Sequence, residues 1–404
     1  MEKKSVVPKD EEKTNIDEKT EGEEKAKVND YYLRISKKLR NIKYLMLLFM
    51  VAALIITLWA FRSRLTYDNF RYLFRDIDEA GRTSFSGDAV YFTANDTNVY
   101  LHFKGDLAVG SSDGLSFHRS FGSRSFEDSV KFKSPLLVGS EKYMIAYDAG
   151  GKNFYVYNSV GRVYSETLTY GVIDCAASDS GAFAVLTKSE VGDFVIRIYD
   201  KNFNLIGEVT RDGYVYSIDF FDSETVCFFE SYASDATLCT DISFYKVGAA
   251  DVEKTVSVPG FMLECRKTEK GFLTLSDADI SFYNENNALD VSYSFGTSDI
   301  MFADAKDGGV CALLDKNEIG ADCMVLACFE NGNTYRVDTE IGAKGVALCG
   351  ENVCVLYDNY LFVCNSEKIS RIEIPDGAKK LIARDKGSVI VCYNDYAKVF
   401  EVKF

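Results

Sequence analysis

Apolar and polar side chains alternate in short runs along most of this 404-residue chain. The last residues, YNDYAKVFEVKF, are typical: Ala397, Val399, Phe400 and Val402 follow a pattern close to that of a half-buried strand. A strand at the end of a chain needs a neighbour for its open edge. Two segments near the N-terminus depart from the pattern. Tyr44 to Phe61 (YLMLLFMVAALIITLWAF) is apolar on every face and carries no charge. Residues 62–80 place Leu65, Phe70, Leu73, Phe74 and Ile77 at spacings near three and four, which predicts an amphipathic stalk helix ended by Gly81.

Beyond the stalk one unit recurs. Its core is four residues with a large or apolar last member: LSFH (115–118), FYVY (154–157), IRIY (196–199), ISFY (242–245), ISFY (280–283), LACF (326–329), LFVC (361–364) and AKVF (397–400). The closing positions are His118, Tyr157, Tyr199, Tyr245, Tyr283, Phe329, Cys364 and Phe400, at spacings of 39, 42, 46, 38, 46, 35 and 36 residues. Periods of this size belong to propellers or solenoids. An apolar strand precedes each core, as in YMIAY, AFAVL and SVIVCY, and a further strand precedes that, as in GVIDCAA, YSIDFF and IMFADA. A turn rich in Asn, Asp and Gly then leads to a fourth strand, as in DKNFNLIGE. Four short antiparallel strands in about forty residues make a propeller blade, and a helical solenoid would need a 3.6-residue period that is absent. The expected fold is all-β: an eight-bladed β-propeller over 83–404, with seven blades as the alternative, behind a single membrane helix. The eighth unit has only three strands, and 84–93 (SFSGDAVYFT) is a spare. We expect this strand to close the last blade as its outer edge.

The apolar run of 18 residues spans roughly 27 Å as a helix, close to a bilayer's hydrocarbon core of about 30 Å. Tyr44 and Trp59 sit near its ends, where interfacial aromatics belong. A 43-residue leader and the absence of a small-residue cleavage site argue against a signal peptide. The expected layout is a charged disordered tail over 1–30, a basic segment and transmembrane helix over 31–61 (span 44–61), the stalk over 62–82, and then the propeller. Arg34, Lys37, Lys38, Arg40 and Lys43 cluster before the run, which favours a cytoplasmic N-terminus and an extracytoplasmic propeller at the cell membrane.

The net charge of −15 is concentrated after the apolar run, where residues 62–404 carry 51 acids against 34 basic residues. Such a surface repels phosphate backbones, so nucleic acid is excluded as a partner class. Eleven Cys lie between Cys175 and Cys392, mostly inside apolar runs and without C-x-x-C spacing. They read as small core hydrophobes rather than a metal or disulfide framework. Cys323 and Cys328, like Cys349 and Cys354, are five apart, an offset that puts two residues of one strand on opposite faces.

Catalytic signals are absent. Only two His occur: His118 stands in the aromatic column as a packed ring, and His102 is expected to be exposed or hydrogen bonded. Asp315–Gly320 and Asp200–Asn204 begin like calcium loops but lack the later ligands, so both read as hairpin turns. No catalytic, cofactor-binding or metal-ligating residue is assigned, and no cofactor is expected.

Units such as FYVYNSVGRV and IRIYDKNFNLIGE resemble the quinoprotein-like propeller superfamily, which includes membrane-bound dehydrogenases and the propeller subunit of outer-membrane barrel assembly. The Trp that recurs in blades of quinone-dependent dehydrogenases is missing here, the one Trp being Trp59, which argues against quinone binding. The whole layout, with its LTYDNFRYLFRDID stalk, resembles an uncharacterised family of Gram-positive bacterial membrane proteins, which implies no activity. The expected function is a non-catalytic scaffold binding another envelope protein. The alternatives are a sensor for a small molecule or glycan in the central channel and, last, an enzyme using channel carboxylates. An apolar rim would favour the first, and convergent carboxylates with perturbed titrations the others.

Overall fold

Successive side chains of a strand point to opposite faces, so a strand covered on both faces must be apolar at every position. The second strand of each repeat comes closest to this condition. Met144–Asp148, Phe183–Lys188, Gly309–Asp315 and Ser388–Cys392 are almost wholly buried, whereas fourth strands such as Arg162–Thr167 and Ile369–Glu373 alternate between exposed and half-buried. The middle of every sheet is therefore covered on both sides by neighbouring sheets, and the outermost strand meets solvent.

The computed structural model describes residues 14–60, 89–118, 124–235, 237–306, 308–316 and 323–402. Eight four-stranded antiparallel sheets form the propeller. Blades 1 to 7 comprise residues 99–128, 135–167, 174–211, 214–259, 262–294, 299–339 and 345–373. Blade 8 comprises residues 380–401 together with Val90–Tyr91. Each repeated core lies on the third strand of its blade, which settles the count at eight. Eight hydrophobic clusters fill the eight interfaces between adjacent blades. The aromatic column belongs to these clusters: Tyr157 packs between blades 1 and 2, Tyr199 between blades 2 and 3, and Tyr245 between blades 3 and 4.

The spare strand closes the ring as expected. Val90 pairs with Ala397 and Tyr91 with Tyr396, and the Phe92 amide donates to the Asp395 carbonyl at 2.9 Å. Val90 and Phe92 share a core with Leu107 and Val109 of blade 1 and with Ile390 and Cys392 of blade 8. One short strand thus holds the first and last blades together. Residues 84–88 of the expected strand lie outside the described residues.

The cysteines behave as core hydrophobes: all eleven are free and only Cys239 is not fully buried. Cys323 and Cys328 do face opposite cores. Cys349 and Cys354 do not, because they sit on two strands of one hairpin, Gly345–Cys349 and Asn352–Leu356, with their thiols within hydrogen-bonding reach in one cluster.

The N-terminal unit is one helix, Thr14–Ala60, of which Tyr32–Thr57 is long and apolar enough to cross a membrane, with a mean hydropathy of 1.9. Residues 14–30 are helical where composition pointed to a disordered tail. Glu and Lys are the commonest residues of this stretch, and their intrinsic helix propensity needs no core. Residues 1–13 and the expected stalk over 62–82 lie outside the described residues.

Val90→Asp places an unpaired charge in the closure core. We expect a loss of about 2–4 kcal/mol of propeller stability in urea titration, against less than about 1 kcal/mol for Tyr91→Ser, whose side chain is exposed.

Candidate functional site: an axial cavity walled by paired charges

A cavity of about 610 Å³ is lined by the innermost strands of blades 2 to 6, which places it on the propeller axis. It lies towards the end where the first strands turn into the second, since Asp179, Asp222, Lys306 and Gly308 belong to that end. Gly308 makes its turn at φ +74°, as Gly181 does in the equivalent turn of blade 3 at φ +92°. Neighbouring inner strands run close together around the ring except on either side of blade 5, where the cavity opens out.

Four successive inner strands carry a carboxylate: Asp174, Asp219, Glu264 and Asp304. Asp174 is absorbed by the wall, accepting from Tyr147 Oη at 3.0 Å, Ser217 Oγ at 2.7 Å, and the amides of Cys175 at 2.8 Å and Ile218 at 3.0 Å. It stitches blade 3 to blades 2 and 4. Asp304 accepts from the Leu348 amide at 2.8 Å and stitches blade 6 to blade 7. Asp219 and Glu264 instead share one cation. Arg266 Nη1 lies 3.1 Å from Asp219, and Nη2 lies 2.9 Å from Glu264. Lys267 Nζ meets Asp222 at 2.8 Å, and Tyr216 Oη donates to the Met262 carbonyl at 2.8 Å across the same seam. Side chains therefore bridge blades 4 and 5 where the inner strands stand apart.

Asp219, Glu264 and Arg266 keep 29, 31 and 39 % of their side-chain surface, and all three line the cavity. They are open to a small molecule yet surrounded by protein. Desolvation is accordingly the main force on the carboxylates. Burial pushes the carboxyls of Asp219, Glu264 and Asp304 up, and Arg266 offsets part of the rise in each. For Arg266 burial opposes the charge, but Glu264 and Asp219 outweigh it and hold the guanidinium ionised.

His118 is a packed ring, 1 % exposed, with Nε2 2.8 Å from Ser116 Oγ. His102 departs from expectation: it is half-buried, and its Nε2 is shut off from solvent without a hydrogen-bond partner. The cause is its place on the inner strand of blade 1, beside a space of about 20 Å³ between blades 8 and 1 that it shares with His118 and Arg384. Burial pushes its imidazole down to about 4, helped by the Arg384 and Lys306 charges. The Asp200 segment is a hairpin turn, its carboxylate accepting from the amides of Asn202 and Asn204. Residues 317–322 of the other calcium-like segment lie outside the described residues. Among the described residues, no three His, Cys, Asp or Glu are grouped to hold a metal ion.

The site was not assigned from sequence, although GVIDCAA, YSIDFF and IMFADA contain three of its four inner-strand acids. An acidic residue recurring within otherwise apolar inner strands was the available signal.

Fold and site define an eight-bladed β-propeller with a charged axial cavity and an N-terminal apolar helix, a membrane anchor or signal sequence. The chain belongs to the family described as "Family of unknown function (DUF5711)", which matches residues 85–395. No curated protein matches it. Among solved structures it is similar to a eukaryotic initiation factor, with 9 % identity, 78 % of this chain and 87 % of that one covered, and a TM-score of 0.53. It is also similar to Kluyveromyces lactis Hsv2 (12 % identity, 69 % and 100 % covered, TM-score 0.47) and to BamB from Moraxella catarrhalis (11 %, 66 % and 96 %, TM-score 0.38). At these identities the likeness shows the fold alone.

Two outcomes follow from the charges. Arg266→Leu leaves Asp219 and Glu264 without their shared cation. We expect a cost of about 1–3 kcal/mol at pH 7, reduced by solvent access and shrinking on acidification as the freed carboxyls, already pushed up by burial, take up protons, measured by urea titration at pH 7 and at a lower pH. Below pH 6.5 the unfolded chain protonates His102 while the folded ring stays neutral until about pH 4, so this residue makes stability fall on acidification across that window. The raised carboxyls act in the opposite sense, favouring the fold as they take up protons. The difference between wild type and His102→Gln isolates the histidine: the variant's melting temperature should fall less between pH 6.5 and pH 4.

Proposed function

We propose that this protein is a membrane-anchored, non-catalytic binding propeller that takes a small polar molecule into its axial cavity. The observation that carries the reading is the open, charged wall around Arg266, built from four inner strands and the turns beside them and lined by five carboxylates and three cations. Rigid blades with short connections favour holding a ligand over reshaping around it. The carboxylates are engaged by amides, hydroxyls and cations, and the cavity thiol Cys175 is pushed well up by burial, so the wall is suited to recognition rather than to nucleophilic chemistry. The anchor would cross the membrane once, with the basic cluster Arg34–Lys43 cytoplasmic and the propeller outside.

An interaction scaffold is the second reading, favoured by one face of the ring. Turns between second and third strands share a face with the connections between blades. There Val191, Tyr232, Leu238 and Ile341 are exposed, as is Tyr91 at the end of the closing strand. Such a face fits an envelope protein partner.

Native mass spectrometry of the protein extracted from its own membrane tests the ligand reading. A small-molecule adduct is expected, and it should disappear in Lys306→Trp, which fills the cavity mouth. Absence of any adduct, together with no thermal shift from a broad set of polar metabolites, overturns it. Orientation is read at Cys239, the one thiol that is not fully buried. A membrane-impermeant maleimide should label it on intact cells, and labelling only after lysis would reverse the topology.

A further inference from the structure

We propose that the axial cavity selects a small donor-rich cation, a polyhydroxylated amine of the amino-sugar class. This rests on the ligand-binding reading above and names the chemistry that the cavity would recognise.

The argument starts from unmatched hydrogen-bonding capacity. An ionised carboxylate offers about four acceptor sites and no donor. Five carboxylates line the cavity, against one guanidinium and two ammonium groups. Two of the three cations are engaged inside the wall, Arg266 Nη1 and Nη2 on Asp219 and Glu264 and Lys267 on Asp222, which leaves the Lys306 ammonium and the enclosed Arg266 Nε against the remaining acceptors. The hydroxyl of Ser217 is spent on Asp174, and those of Ser178 and Ser180 on the Ser223 carbonyl. What remains facing the cavity is mainly acceptor. A ligand that fits must bring O–H and N–H groups, and an acceptor-rich anion would meet repulsion on most sides.

Charge gives the same direction by a separate route. Asp219 and Glu264 come from adjacent blades and divide a single cation between them. On the next blade, Asp304 adds a third negative charge that acts on Glu264. Placing one ammonium beside Glu264 would relieve that excess without breaking either contact of Arg266. Inner strands stand apart on both sides of blade 5, so room exists next to Glu264 for a group larger than a bare ion. A volume of about 610 Å³ falls within the usual range for small-molecule sites, about 300–1,000 Å³, and suits one or two sugar rings. The hydroxyls of such a ligand would reach the free lone pairs of Asp179 and Asp222 at the mouth while its ammonium sits deeper.

The full-length protein in detergent micelles, titrated with glucosamine, glucose and gluconate at pH 7, provides the test. Calorimetry and thermal shift should both register saturable glucosamine binding, with glucose weaker by about tenfold or more, as the loss of one charge contact in a partly desolvated site implies, and gluconate silent. Glu264→Gln should weaken glucosamine binding. Lys306→Gln should tighten it, because a competing cation is removed; a folding defect would weaken rather than tighten. Asp200→Asn, in a turn away from the cavity, should change nothing. Glucose equal to glucosamine, or gluconate preferred, overturns the cationic class while leaving the cavity a binding site. Silence from all three sugars overturns the class outright, and the native-mass experiment then decides separately whether the cavity holds another ligand.

Discussion

Burial between neighbouring blades is the constraint on which the structure rests. No single four-stranded sheet here has a core of its own. Each of the eight clusters draws side chains from two blades, so every sheet is completed only by the next. The contact of Phe154 in blade 2 with Phe183 in blade 3, ring centres 6.0 Å apart, shows how one blade presents its ring to the next. It also explains the cysteines. A small apolar side chain fits positions where two sheets approach face to face, and burial pushes thiols such as Cys311 well up, away from the reactive thiolate.

The axial cavity is the complement of that constraint. Packing is continuous in the middle of each blade, and the inner strands are left to settle their own polar groups. Where an inner-strand carboxylate reaches an amide of the next blade, as Asp174 and Asp304 do, the strands lie close and the acid is part of the wall. Where it does not, as with Asp219 and Glu264, an arginine fills the gap and the strands stand apart. The same residue type at similar places therefore gives stitching in two blades and an open charged surface in two others.

This difference sets what was legible in the sequence. The fold was legible because the third-strand cores repeat at a blade's period and because one strand was missing at one end and spare at the other. The position of Val90–Tyr91 beside Ala397 needed no more than that count. The site was not legible. A period of two says which residues share a face, but not whether that face meets a neighbouring blade or the axis. Asp174 and Asp219 look alike in GVIDCAA and YSIDFF, and only the register of the next blade separates them. His102 and the Cys349–Cys354 hairpin escape alternation for the same reason: alternation describes one strand, whereas their surroundings come from others. The helical start at Thr14 is a different case, since local propensity acts there without tertiary burial.

The closing strand has a temporal consequence. During synthesis Val90 and Tyr91 leave the ribosome first, and their partners Ala397 and Tyr396 follow roughly 300 residues later, some 15–60 s at usual translation speeds. Through that interval the earliest-made strand of the propeller has no sheet to join, while seven blades accumulate in order beside it. Translation can be complete in every blade and the ring still be an open arc. Closure of the ring waits on the return of the propeller's first strand.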